Sequence, residues 1–162
     1  MDSRERTITW QDPLLTVQSA PGKTGLELIT EIFEGNLPPP PITQALGFIG
    51  VEAREGWAAF EGDPAEYMYN PIGVVHGGWA MTLLDSAMGC AVHTTLAVGE
   101  RYTTLEVKTN FVRAITVETG RVRCEATVVH RGGTVATAEG KLFVKDSGKL
   151  LAHGTTTCLI IK

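Results

Sequence analysis

From Gly78 to Val98 the chain carries a single formal charge, Asp85, in a run of mostly small or apolar residues. A helix drawn through this run is apolar on nearly every face, so other elements must cover it on most sides. It fails as a membrane span, because Asp85 and His93 interrupt it. A carboxylate held away from water is costly unless it is paired or hydrogen-bonded. Such a group is a poor structural element and a good base or nucleophile, so Asp85 is the first candidate for chemistry.

Beyond the run the hydrophobic period changes to two. Leu105, Val107, Thr109 and Phe111 alternate with Thr104, Glu106, Lys108 and Asn110, and Val122, Cys124, Ala126 and Val128 alternate with polar neighbours. Gly132-Gly133 turns into a strand at 134–145, and Asp146-Ser147-Gly148-Lys149 turns into one at 150–161. Upstream, segments 47–54 and 57–63 read as strands about a Glu55-Gly56 turn, with a short helical turn near Thr43–Leu46 before them and a loop at 65–75 after. The long helix is expected over 76–98. A curved antiparallel sheet wrapped around it covers an all-round apolar rod with few elements, which predicts an α+β fold with a central helix.

Residues 1–22 lack strong periodicity and read as a loosely attached arm. Thr24 can cap a helix bearing Leu26, Ile29, Ile32 and Phe33, which Gly35-Asn36 ends. Pro38 to Pro41 then act as a stiff linker. Residues 1–41 are thus expected to be arm, short helix and linker, and 42–162 the main domain.

At 162 residues the chain fits one domain, and its net charge of −4 gives no reason to expect nucleic acid or an anionic membrane surface. Cys90, Cys124 and Cys158 have no metal-knuckle or redox spacing and read as free core thiols. His93, His130 and His153 show no metal-ligand spacing, so neither metal nor cofactor is expected. The first residues contain no apolar signal segment, and a cytoplasmic protein is expected. No Gly-x-Ser-x-Gly elbow is present, which leaves a serine-hydrolase route without its nucleophile.

Asp85 lies nine residues after His76 in His76-Gly77-Gly78. In an α-helix that spacing is about 2.5 turns and roughly 13.5 Å, so the two side chains fall on nearly opposite faces. Gly77 and Asp85 are separated by about 12 Å on the same arithmetic. If the helix start and Asp85 share one reaction centre, they come from different copies of the chain, related by a two-fold axis with two equivalent sites. The first N–H groups of the helix lack intrahelical acceptors, and the macrodipole adds partial positive charge there. Glycines at 77 and 78 leave room for a developing oxyanion to approach.

These residues, as Asn70-(x)2-Gly73-(x)2-His76-Gly77-Gly78-(x)6-Asp85 followed by Thr104-Leu105-Glu106-Val107 and Asn110-Phe111-Val112-Arg113, resemble the hotdog-fold acyl-CoA thioesterases. The phenylacetate-pathway (PaaI-like) branch is the most similar, over about residues 42–161. The resemblance implies that Asp85 attacks the thioester or activates a water, and that the Gly77 N–H of the other subunit binds the oxyanion. It implies that His76 and Asn70 polarise the thioester and position the leaving group or water, and that Thr104 orients the water. Gly78 would line the substrate, and Arg113 and the Arg131-Gly132-Gly133 turn would meet the CoA phosphates. The implied partners are an acyl-CoA substrate and a second copy of the chain in a homodimer, and exposed sheet faces and edges favour pairing into a dimer of dimers. The long N-terminal arm and Trp79 depart from the pattern, and such arms often cover the acyl pocket. A non-catalytic acyl-CoA-binding module and a dehydratase of hydroxyacyl thioesters are the competing functions. The first has no need of Asp85, and the second needs an acid–base pair that opposite helix faces do not provide.

Overall fold

The computed structural model describes residues 3–162. Met1 and Asp2, the start of the expected arm, lie outside the described residues. Three short helices come first: α1 (Leu14–Ser19), α2 (Gly25–Phe33) and α3 (Pro41–Leu46). α1 falls in the segment expected to be irregular, and none of its residues is buried. α2 starts where its cap predicts: Thr24 Oγ1 accepts from Glu27 N at 3.3 Å, and Glu27 Oε2 accepts from Thr24 N at 2.7 Å. The expected linker continues into α3, because a proline is well suited to a first helical position. Gly47, at φ 65°, then stops that helix in the left-handed region. The arm is tied down by Arg6, which donates to the carbonyls of Ala45 and Gln44 at 2.6 and 2.7 Å and sits 3.9 Å above the Tyr67 ring.

Strands β1 (Phe48–Arg54) and β2 (Trp57–Gly62) form a hairpin, and α4 (Gly77–His93) is the central helix. β3 (Arg101–Phe111), β4 (Val122–Arg131), β5 (Val135–Val144) and β6 (Leu150–Ile161) follow. All six strands belong to one antiparallel sheet in the order β1-β2-β4-β5-β6-β3. β3 therefore pairs with β6 and not with β4, its neighbour in sequence. This makes β1 and β3 the two edges of the sheet.

α4 is enclosed as its composition demands. Leu83, Leu84, Ala87, Met88, Ala91 and Val92 are fully buried. Small residues on the sheet let the helix come close: a Cβ at Gly140 would lie 3.1 Å from Met88 and 3.2 Å from Leu84. α4 ends at His93, five residues short of the expected end. The Thr94 and Thr95 hydroxyls donate back to the carbonyls of Ala91 and Val92, both at 2.7 Å, and take up the last turn.

The strand alternation holds in β3 except across one irregularity and at the strand's end, where Phe111 is exposed beside Asn110. A bulge between Thr104 and Glu106 breaks the register with β6. Thr104 and Val107 are half-buried, whereas Leu105 is 57% exposed, contrary to its expected place on the inner face. The extra residue inverts the phase, which turns Leu105 out and leaves Thr104 facing in. All three cysteines are free. Among the described residues, no helix is long and apolar enough to cross a membrane.

Candidate active site

The start of α4 is held by its own cap. His76 Nδ1 accepts from Gly78 N at 2.9 Å. With Nδ1 accepting, Nε2 is the ring nitrogen left to donate. His76 itself is exposed. This use of the ring commits the Gly78 N–H, whereas the Gly77 N–H has no acceptor among the described residues. Gly77 is closely packed, because a Cβ there would lie 3.0 Å from the tip of the Phe111 ring. Asn70 shapes the preceding loop: its Oδ1 accepts from Ile72 N at 3.1 Å and Val74 N at 3.4 Å. Gly73, at φ 79°, makes the turn between them.

Asp85 is half-buried midway along α4. Thr104 Oγ1, brought in by the bulge in β3, donates to Asp85 Oδ1 at 3.3 Å. Thr82, the other hydroxyl one turn back, donates instead to the Gly78 carbonyl at 2.8 Å. Asp85 Oδ2 has no hydrogen-bond partner among the described residues. The helix runs unbroken from Gly77 to His93, so within one chain the Gly77 N–H and Asp85 stay about 12 Å apart along the axis.

Asp85 and Thr104 line a cavity of about 410 Å³. Ser86, Cys90 and Tyr102 complete its polar end, while Ile29, Ile32 and Phe33 of α2 help to make the rest apolar. Burial, together with the Asp85 charge, pushes the Cys90 thiol up to about 12. It stays protonated at neutral pH and supplies no thiolate. Burial likewise raises the Tyr102 hydroxyl well above its ordinary value. Ser86 and Tyr102 carried no pattern of their own in the sequence. The α2 stripe was visible at helical spacing, but what it faces was not.

The two arginines lie apart. Arg113 donates to the Leu150 carbonyl at 2.6 Å, at the start of β6. Arg131 pairs with Ala136, which pairs with Cys158 near the other end of β6. The eight residue steps of strand between those levels span about 26 Å, so one chain does not bring both to one phosphate. Arg131 is also engaged, with Glu100 at 2.5 Å and with the Gly132 carbonyl. Gly132 closes the turn by donating to the Val135 carbonyl at 2.8 Å, next to Gly133. Among the described residues, no group of three or more His, Cys, Asp or Glu could hold a metal ion.

The family model described as the thioesterase superfamily matches residues 72–151. A conserved protein from Pseudomonas aeruginosa is similar in structure at 32% identity and a TM-score of 0.68, covering 74% of this chain and 93% of that one. A phenylacetic acid degradation-related protein from Ralstonia eutropha is 28% identical with a TM-score of 0.72, over 81% of this chain and 98% of the other. A variant of the phenylacetic acid degradation protein PaaI from Thermus thermophilus is 27% identical with a TM-score of 0.67, over 74% and 98%. No curated protein matches the chain in sequence.

Proposed function

The chain belongs to the hotdog-fold thioesterase superfamily, and from that premise we propose that it hydrolyses an acyl-CoA thioester to the free acid and CoA. One observation carries this reading: a half-buried carboxylate, Asp85, is oriented by Thr104 at the polar end of an otherwise apolar cavity. A binding module gains nothing from a carboxylate beside a thioester, whereas hydrolysis needs one.

In the reaction proposed, the acyl carbonyl lies beside Asp85 with its chain in the cavity. Thr104 occupies Oδ1, so Oδ2 is free to take a proton from water or to attack the carbonyl itself. With water as the nucleophile, its oxygen bonds to the carbonyl carbon, the carbon–sulfur bond breaks and the thiolate leaves. Asp85 passes the proton on to the sulfur. The negative charge that develops on the carbonyl oxygen needs a donor, for which Gly77 N–H at the positive end of α4 is suited. Its distance from Asp85 requires that Gly77 come from a second copy. The His76 Nε2–H is a further candidate donor near that oxygen, with Asn70 holding the loop in place.

The edge strand β3 supports the pairing of copies. Its outer edge pairs with no strand among the described residues, which leaves backbone groups ready to meet another strand. Arg113, two residues beyond Phe111, is the better placed of the two arginines to meet a CoA phosphate near the helix start. The defining experiment is release of free thiol from acyl-CoA by the wild-type protein, with its loss in Asp85→Asn. Equal thiol release by the two would overturn the assignment. Water labelled with heavy oxygen, in a single turnover, separates attack by Asp85 from attack by water.

A further inference from the structure

The sheet curls round α4 but does not close, and the two edge strands border the gap. The cavity beside Asp85 touches both of them, Thr104 and Tyr102 of β3 on one side and Ile49 and Gly50 of β1 on the other. α2 roofs this gap and is fixed at both ends. At its start, Gly25 N donates to the Leu96 carbonyl at 3.0 Å, so close to α4 that a Cβ on Gly25 would fall 1.8 Å from the His93 carbonyl oxygen. At its end, the Phe33 ring sits directly on Gly50, where a Cβ would be 2.0 Å from the ring. Phe60 braces the same ring edge-to-face, with centroids 5.2 Å apart. The ring therefore has a seat that only glycine allows, on the wall opposite Thr104.

This wall is also dry. Ile29, Ile32 and Ile49 offer no donor or acceptor, and the Thr43 hydroxyl is already committed to the Pro40 carbonyl at 2.8 Å. A group the size of a water fills about 30 Å³ in a liquid, so 410 Å³ corresponds to about fourteen carbon-sized groups, an upper bound on the acyl length it takes.

We propose that α2 is the gauge of the acyl chain: Phe33, seated on Gly50, ends the cavity and limits the substrate to acyl groups of medium length, short of about fourteen carbons. This rests on the thioesterase reading above and assigns its substrate class. Each methylene the cavity buries contributes about fourfold to kcat/KM until the chain meets the ring.

The test is kcat/KM for a series of saturated acyl-CoA thioesters from acetyl to palmitoyl, read by thiol release. The wild-type optimum is expected between about six and fourteen carbons, where four or more added methylenes at about fourfold each put it at least about 10²-fold above acetyl. Phe33→Ala opens the far wall and moves the optimum longer by about two carbons or more. Gly50→Ala drives the ring into the cavity and moves it shorter, and this shift disappears in the Phe33→Ala background. Should Gly50→Ala fail to fold, as its melting curve would reveal, Phe33→Ala alone carries the test. A folded Phe33→Ala with an unmoved profile, or a wild-type optimum at acetyl or palmitoyl, overturns the gauge while leaving the thioesterase intact. No thiol release from any member of the series by wild type overturns the thioesterase reading, and the gauge with it.

Discussion

Thr104 on one edge strand of the sheet hydrogen-bonds Asp85 in the middle of the central helix, at 3.3 Å, across a bulge that turns the next residue outward. The bulge thus links strand register to the orientation of a carboxylate. Asp85→Asn keeps the shape and removes the base, so kcat should fall by about 10²–10⁴ with the melting temperature preserved. Thr104→Ala should lower kcat by about tenfold and Thr104→Ser restore most of it, since the hydroxyl alone makes the bond. Steady-state kinetics on the three variants check this. A Thr104→Ala protein as active as wild type would remove Thr104 from the account.

His76 combines two tasks that substitution can separate. Its Nδ1 caps α4 at Gly78, and loss of such a cap costs about 0.5–2 kcal/mol. His76→Ala should lose both that stability and activity. His76→Asn keeps a capping oxygen but lacks the outward Nε2–H, so it should melt near wild type and still turn over slowly. Thermal melting and kcat measured side by side decide it. A fully active His76→Asn would make His76 a cap and nothing more.

Gly77 is constrained by Phe111, whose ring would be 3.0 Å from any Cβ placed there. Gly77→Ala keeps the backbone N–H but presses a Cβ against the Phe111 ring, so it should shift that donor from the oxyanion and lower kcat by about 10–10², with a smaller change in KM. A change confined to KM would make Gly77 a binding residue only.

The central rod, its single acid and the strands after it were legible because each follows from periodicity and from the cost of burying a charge. Helix spacing made it legible that His76 and Asp85 cannot meet within one chain, whereas the roles of His76, Asn70 and Thr104 came only from the family resemblance. Contacts between distant segments were less so. Nothing local marks β3 as the partner of β6, or Leu105 as an outward bulge residue. Arg131 was expected at a CoA phosphate and is held by Glu100, a residue 31 positions away. α2 showed its apolar stripe, but the cavity beneath it depends on Gly50, whose neighbours in sequence give no hint of the Phe33 ring.

Burial holds the His93 imidazole below the ordinary value of 6.5. The unfolded chain takes up a proton near that value and the folded chain does so only at lower pH. Stability should therefore fall as pH drops below about 6.5 and level off past the lowered folded value. His93→Gln removes this term, so its melting temperature should decline less than that of wild type between pH 7 and pH 5. Parallel curves for the two proteins would show that His93 does not control this window.

The claim that one chain's Asp85 works with another chain's Gly77 has a direct measurement. Asp85→Asn and Gly77→Val proteins, each folded and each inactive alone, are unfolded together, refolded as an equal mixture and assayed for thiol release. A mixed dimer places the intact Asp85 of one chain against the intact Gly77 of the other, giving one working site. Random pairing should then restore about a quarter of wild-type activity. A mixture that forms mixed dimers and stays as inactive as its components would contradict a site shared between chains.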